Sequence, residues 1–595
     1  MRQAAKRINR GQTARTMSVS SPVGGWNARD PLAEMQAKDA VILDNFFCTP
    51  FDVRVRQGYS TWVTGLTGDA ETLCSYSPQT GAIKLFAVSG GFVYDVSVAG
   101  AVGTPQVSGL TNSRWQHVNF GTAGGSFVVM ANGTDLPLVY NGTGWGNTFP
   151  AAFNTTVTSI TSVGLVATVT TSGAHYLKTG MYVVTAGWTP AGYNGTYQIT
   201  VTGANTFTYA LAGALGVTTV AGTVTPQVNF AITGVDPTLL ISVAAFKARL
   251  WFCEKNSLRV WYLPVLSIGG AAQSIDFSSL FTRGGYLMAM GDWSLDAGYG
   301  MDDYAVFITS EGQVAIYKGT DPSSATTWSL IGIYDIGSPI GRRCMMKYAG
   351  DMLIVCQDGL APLSKSLMSS RVNSQEMLTD KIQHVMSDYV TQYGSNFGWE
   401  TTIFPKENML FVNVPVSSTV SYQLVMNTIS GAWSRFLNWN AHTFELHGDL
   451  IYFGGAGKIY KAWDTTMDNG NNISFEALQS FNYFGSPGQL KQVSMIRPVV
   501  SYTGYPSIIL GVNADFDQTT PTGQISTTSR TIGGNWDSAL WDQGVWGSDD
   551  FTINRNWQTS YALGYCVAGH MIGAVKNAEL RWASTDFLLK PGGVL

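Results

Sequence analysis

The sequence predicts an all-β protein: a β-propeller carrying an inserted small β domain and completed by a β-rich platform from its N- and C-terminal regions. Three observations lead there. Gly (66), Tyr (26) and Trp (18) are abundant while only 12% of the 595 residues are charged, a composition of twisted strands and tight turns. A strand–turn–strand pattern recurs at the spacing of propeller blades. The one long gap in that spacing is filled by a stretch of different composition.

The repeated pattern is a short apolar strand, a Gly-containing turn and a second strand, often with an aromatic residue. It occurs at 85–96 (LFAVSGGFVYDV), 127–140, 250–262, 305–317, 352–363, 409–426 and 450–460 (LIYFGGAGKIY). Successive starts are 42, 123, 55, 47, 57 and 41 residues apart. Between 136 and 235 the only charged residue is Lys178, and alternating Thr/Val strands fill that stretch. Removing about 75 residues restores the blade interval, which predicts a separable module.

The expected organisation is a basic arm (1–16), an N-terminal platform segment (17–66), the first blades (67–153), the inserted domain (154–228), the remaining blades (229–470) and a C-terminal platform region (471–595). One segment breaks the β rhythm. Over 374–393 the apolar residues Met377, Leu378, Ile382, Val385, Met386, Tyr389 and Val390 share a helical face, which predicts a helix capped by Ser374 and covering a propeller edge or subunit seam.

Net charge is −4, yet Arg2, Lys6, Arg7, Arg10 and Arg15 all lie in the first 16 residues, so the rest of the chain is near −9. A body of that sign does not grip phosphates along its surface. The arm either binds phosphate, docks on another protein or is a solvated terminus. No apolar h-region follows the basic opening and no run of 18 apolar residues occurs, so neither a signal peptide nor a membrane-spanning segment is expected. The six cysteines (Cys48, Cys74, Cys253, Cys344, Cys356, Cys566) are far apart and read as reduced core residues.

Catalytic and metal signals are weak. Six histidines limit acid–base schemes, and the nearest constellation, His442, Glu445 and His447, needs a bend to converge. Asp464, Asp468, Asn469, Asn471 and Asn472 lack EF-hand spacing and read as a turn. No phosphate loop or nucleophile elbow is present. Asp302 and Asp303 are the carboxylates available to a glycosidase-like site, but adjacent strand residues face opposite ways. No catalytic residue, cofactor or metal is therefore expected. Trp536, Trp541 and Trp546 recur every five residues and are candidate anchors of a domain or subunit seam. The turns Ser89-Gly90-Gly91 and Gly454-Gly455-Ala456-Gly457 are candidate mobile gate loops.

Two terminal stretches resemble the tail nozzle proteins of short-tailed bacteriophages, also called tail tubular protein B or tail stabilisation proteins. The first is 21–59, with Gly24-Gly25-Trp26-Asn27, the Ala40 to Asn45 segment and Arg56-Gln57-Gly58-Tyr59. The second runs from FNYFGSPGQLKQV (481–493) through WDSALWDQGVWG (536–547) to ELRWASTDFLLKPGGVL (579–595). The resemblance implies a structural virion protein of the podovirus tail, assembled in the host cytoplasm into a homohexameric ring below a tail adaptor. It also implies contact with tail fibres or spikes, and a lumen that passes double-stranded DNA without sequence-specific binding during ejection. Stable membrane insertion is not part of that plan. The alternative is a propeller-type tail protein that binds or hydrolyses host surface polysaccharide. The inserted domain departs from the simplest nozzle plan.

Overall fold

The computed structural model describes residues 14–151, 153, 155–218, 220–296, 301–368, 377–504, 506–522, 552–554 and 556–594. Among these residues, seven blades follow one another around a common axis, and the innermost strand of each packs against the innermost strand of the next. The chain is thus an all-β propeller with an inserted β domain and a platform built from both termini.

Blade 1 comprises the second half (70–76) of strand Tyr59–Tyr76, Lys84–Ser89, Phe92–Asp95 and Val107–Ser108. Blade 2 runs from Gln116–Thr122 to Trp145–Phe149, blade 3 from Leu240–Phe246 to Gln273–Asp276, and blade 4 from Leu287–Asp296 to Trp328–Asp335. Blade 5 has three strands, Met345–Tyr348, Asp351–Cys356 and Gly359–Pro362, and blade 6 runs from Glu400–Phe404 to Trp433–Phe436. Blade 7 joins Thr443–His447 and Leu450–Ala462 to the first half (59–69) of Tyr59–Tyr76. One N-terminal strand therefore serves two blades and closes the ring, and the expected boundary at 66 falls inside it.

Both faces of a blade are covered by its neighbours, so the second strands are largely buried, as in Lys84–Ser89 and Asp351–Cys356, and Met409–Pro415 is buried at every position. Each seam holds its own apolar cluster. Phe411, Phe436, Trp439, Phe444 and Phe453 fill the seam between blades 6 and 7, and Leu73, Leu85, Ala87, Tyr452 and Ile459 the seam between 7 and 1. The cluster across blades 1 and 2 continues into the inserted domain, and that across 5 and 6 into the platform.

The segment 450–460 is not a hairpin. Leu450–Ala462 is one strand whose first part pairs with Thr443–His447 and whose second part pairs with 59–69, with register shifts after Ala456 and Ile459. The glycines mark a bulge: a Cβ on Gly454 would lie 2.4 Å from the Ala70 carbonyl oxygen.

The inserted domain is a six-stranded sheet between Val157 and Pro226. Its single charge is its docking pin: Lys178 Nζ donates to the Gly109 carbonyl (2.6 Å) and pairs with Asp135 (3.3 Å). A bridge between Ser108 and Thr179 adds to this seam.

The platform consists of two facing sheets. The outer strand of blade 6 continues through Asp39–Asp44, Ile473–Gln479, Val567–Val575 and Ser507–Ala514. The second sheet is centred on Leu580–Val594 and Gln489–Tyr502, with Phe46–Cys48, Val53–Val55 and Arg15–Ser20 alongside. Phe46, Phe475, Met571, Trp582 and Phe587 pack between them.

The helix is shorter than the periodicity suggests. Residues 374–376 lie outside the described part, Asp380–Ile382 is a 3-10 turn, and the α-helix is Gln383–Tyr393. Met377 and Thr379 are not helical, because Thr379 is committed to blade 5, where its hydroxyl accepts from Leu360 N (3.1 Å). The anticipated face is used: Ile382 and Met386 are buried, and Leu378, Val385, Tyr389 and Val390 pack partly buried against blades 5 and 6.

Candidate functional site at the propeller axis

The polar groups that converge most densely lie on the innermost strands. Gly341, in a left-handed conformation at φ +69°, turns the chain from blade 4 into blade 5 and delivers two arginines to the axis. Arg343 is held by four other blades. It donates to Glu400 (3.1 Å, blade 6), to the Thr443 hydroxyl (2.8 Å, blade 7), to Glu71 O and the Thr72 hydroxyl (3.0 and 2.9 Å, blade 1), and to Trp115 O (3.2 Å), at the entry to blade 2. Arg342 donates to Leu287 O and Met288 O of blade 4. Arg343 and Arg114 both stack on Phe397, and Arg114 pairs with Glu71 (2.9 Å).

Glu445 and His447 share a face and reach blades 1 and 2, whereas His442 approaches Asp69 (3.9 Å) instead. Glu445 accepts from Ser75 N (3.0 Å) and lies 3.6 Å from His117, while His447 Nδ1 is 3.0 Å from the Ser75 hydroxyl. The three residues therefore do not converge on a common point. Among the described residues no group of three or more His, Cys, Asp or Glu is placed to hold a metal ion. Burial raises the Glu400 carboxyl above its ordinary value, with Arg343 opposing that shift. Burial lowers His447, and it likewise lowers His175 in the inserted domain.

These shifts fix a pH dependence. A histidine whose folded value is depressed binds its proton more readily in the unfolded chain. Its contribution is complete above the ordinary value of 6.5 and is lost as pH falls below it. Urea midpoints measured as pH falls from 7 should therefore decline, and His447→Gln should flatten that decline. An unchanged slope in the variant would contradict it. Glu400 acts in the opposite sense, because its raised value makes the fold gain stability on protonation.

A second polar centre joins the propeller to the platform. The Arg56 side chain is fully buried and makes two bonds to Asp468 (2.8 and 2.7 Å), one to Leu437 O and one to Asn45 Oδ1 (2.8 Å), while stacking against Phe436 and Trp439. Gly58 must lack a side chain here, because a Cβ would stand 1.9 Å from Met467 O. The Asp/Asn run 464–472 is thus a turn whose acids are in use: Asp468 holds Arg56, and Asp464 holds Lys461 (2.6 Å) and the Ser60 hydroxyl (2.5 Å). Trp26 donates its indole N–H to Val41 O and lies under Arg435, and Gly25, at φ +84°, lets the Trp433 backbone approach.

Asp302 and Asp303 face apart and are each in an ion pair, with Lys318 (2.7 Å) and Lys247 (2.5 Å), which lowers both carboxyls below their ordinary range. The Ser89-Gly90-Gly91 turn is packed: the Ser89 hydroxyl donates to Gly68 O (2.6 Å), and a Cβ on Gly91 would lie 2.7 Å from Leu110 O. Gly454, Gly455 and Gly457 lie in the paired strand described above, so neither glycine group is a free loop. Trp536, Trp541 and Trp546 lie outside the described residues, as do Arg2, Lys6, Arg7 and Arg10; Arg15 begins a platform strand. All six cysteines are free and buried, and burial pushes the Cys48 thiol up to about 12. Among the described residues no helix is long and apolar enough to cross a membrane.

The axial arginines were missed from sequence. The available signal was a double Arg in a charge-poor chain, placed just before the fifth repeat.

No family model matches the chain, and no curated protein matches its sequence. Among solved structures, the chain is similar to YCF48 bound to D1 peptide, with 11% identity, a TM-score of 0.23, and coverage of 71% of this chain and 98% of that one. It is also similar to BBS1N in complex with ARL6DN (11% identity, TM-score 0.21, 52% and 96% coverage). A third is a putative 6-phosphogluconolactonase from Bacteroides uniformis (8% identity, TM-score 0.24, 61% and 92% coverage). At these scores the likeness carries no functional argument.

Proposed function

We propose that the chain is a structural, non-enzymatic subunit of the tail nozzle of a short-tailed bacteriophage. In this reading it acts as a closed ring, hexameric by the resemblance, which seals the tail tube and conducts DNA during ejection. The observation that carries the reading is the position of the residues on which the resemblance rests. Gly25 and Trp26 sit against blade 6, Arg56 and Gly58 lock the closing strand to the Asp468 turn, and Trp582 fills the platform core. Gly25, Trp26, Arg56 and Gly58 thus stand at joints between propeller and platform, which suits a part under mechanical load.

The low charge supports broad subunit seams. In the ring a tail adaptor sits above, tail fibres or spikes attach alongside, and the lumen is neutral to acidic, so DNA slides without being gripped. Electron microscopy of intact virions is expected to place the chain in a ring with an axial hole in the tail. Its absence from such a ring would overturn the proposal, and a continuous Lys/Arg stripe along the hole would overturn the sliding mechanism.

A further inference from the structure

The chain holds four Asn-Gly pairs, beginning at Asn132, Asn141, Asn194 and Asn469. In such a pair the glycine offers no side chain to hinder attack of its own nitrogen on the asparagine amide. Three of the four are fastened. Asn132 is buried, its Oδ1 accepts from Thr134 N and Asp135 N, and Gly133 N donates to Leu240 O (2.9 Å). The Asn194 amide is tied at both atoms to the Trp188 backbone (2.8 Å each), and Gly195 N donates to the Thr185 hydroxyl (3.0 Å). The Asn141 oxygen accepts from Thr143 N, the Thr143 hydroxyl and Gly144 N, while the Gly142 carbonyl accepts from the Tyr140 hydroxyl (3.0 Å).

Asn469-Gly470 is arranged differently. Asp468 and Asn471 bond to each other in both directions (3.0 and 2.9 Å), and φ is +47° at Asn469 and +87° at Gly470, which makes a two-residue type I′ turn. Both residues are exposed, and a Cβ on Gly470 would meet nothing within 4 Å. Among the described residues the Gly470 N–H has no hydrogen-bond partner. Thr61 donates to Asn469 Oδ1 from its hydroxyl (2.8 Å) and its N–H (3.3 Å). Those donors stand where negative charge develops when the amide carbon is attacked, and Nδ2 is left to water.

We infer that Asn469 is a site of spontaneous deamidation, and that its conversion loosens the clasp closing the propeller. The Gly470 nitrogen, its proton lost to hydroxide, bonds to Asn469 Cγ. The Cγ–Nδ2 bond breaks and Nδ2 leaves as ammonia, protonated by water. A second water opens the resulting succinimide at one carbonyl or the other, giving aspartate or isoaspartate. The isoaspartyl link carries one extra main-chain atom, which a two-residue turn does not accommodate, so the paired bonds between Asp468 and Asn471 are lost. Asp468 is the carboxylate under Arg56, and Asn469 N donates to Tyr59 O (2.7 Å) at the start of the closing strand. A change at an exposed turn thus reaches the ring closure directly. The inference is independent of the nozzle reading.

The test is to age the full chain at physiological temperature and mildly alkaline pH, and to follow all four sites by peptide mass mapping with isoaspartyl methyltransferase labelling. Conversion at 469 is expected about fivefold or more faster than at 132, 141 or 194, whose additional hydrogen bonds must break before the ring closes. Limited proteolysis should cut the aged chain within 59–69 faster than the fresh chain, in proportion to its isoaspartate content. Asn469→Gln, aged alongside, should keep the cutting pattern of its own fresh sample. The inference is overturned by no conversion at 469, by conversion no faster there than at the other three pairs, or by a converted chain cut no faster than a fresh one. Ageing that opens 59–69 equally in Asn469→Gln would overturn it as well.

Discussion

Replacing Arg343 by Met is expected to destabilise the propeller by about 3–5 kcal/mol, the usual cost of stripping the partner from a buried charge. The side chain binds four other blades at once, so its loss leaves Glu400 buried beside Glu445 without its counter-charge. The penalty should therefore reside in Glu400 more than in the missing contacts. The double variant Arg343→Met, Glu400→Gln should recover a large share of it. Urea unfolding of the four proteins of this double-mutant cycle measures the coupling directly. Additive losses would show that the arginine packs the axis without acting as a counter-charge.

Asp468→Ala should cost a similar amount, about 3–5 kcal/mol, because Arg56 would keep its charge with its side chain fully buried. The consequence should be local first. Arg56 stands three residues before the strand that closes the ring, and the turn it grips packs against Gly58. Limited proteolysis of the variant should cut within 59–69 well before the other blades are attacked. Arg56→Lys should also fail to restore full stability, because one ammonium cannot supply the two parallel bonds to Asp468 together with those to Leu437 O and Asn45. Uniform proteolysis along the chain would argue against a clasp at this position.

The parts of this fold that can be read from sequence are those with both faces buried. Six of the seven repeats are the middle hairpins of blades 1 to 6, and these read as unbroken apolar runs because neighbouring blades cover them on each side. Inner strands such as Gln116–Thr122 are mixed in polarity and leave no such trace. The seventh repeat misleads because glycine has two uses. At Gly90 and Gly91 it permits positive φ in a turn, whereas at Gly454 it lets the Ala70 backbone approach within a strand, and the letters alone do not distinguish these. The axial centre was illegible for a different reason. Arg343, Glu400 and Glu445 come from three different blades, and only closure of the ring brings them together.

That closure also sets a timetable for synthesis. Asp69 pairs with Ala456, nearly 390 residues further on, and Arg15 with Leu589 at the other end of the platform. At translation rates of about 5–20 residues per second, the half-strand 59–69 waits roughly 20–80 s for its mate. During that interval it is an open edge carrying Trp62, Val63 and Leu66, able to pair with a neighbouring nascent chain. The number of unfinished chains on one message therefore bears on how much of this protein closes its propeller.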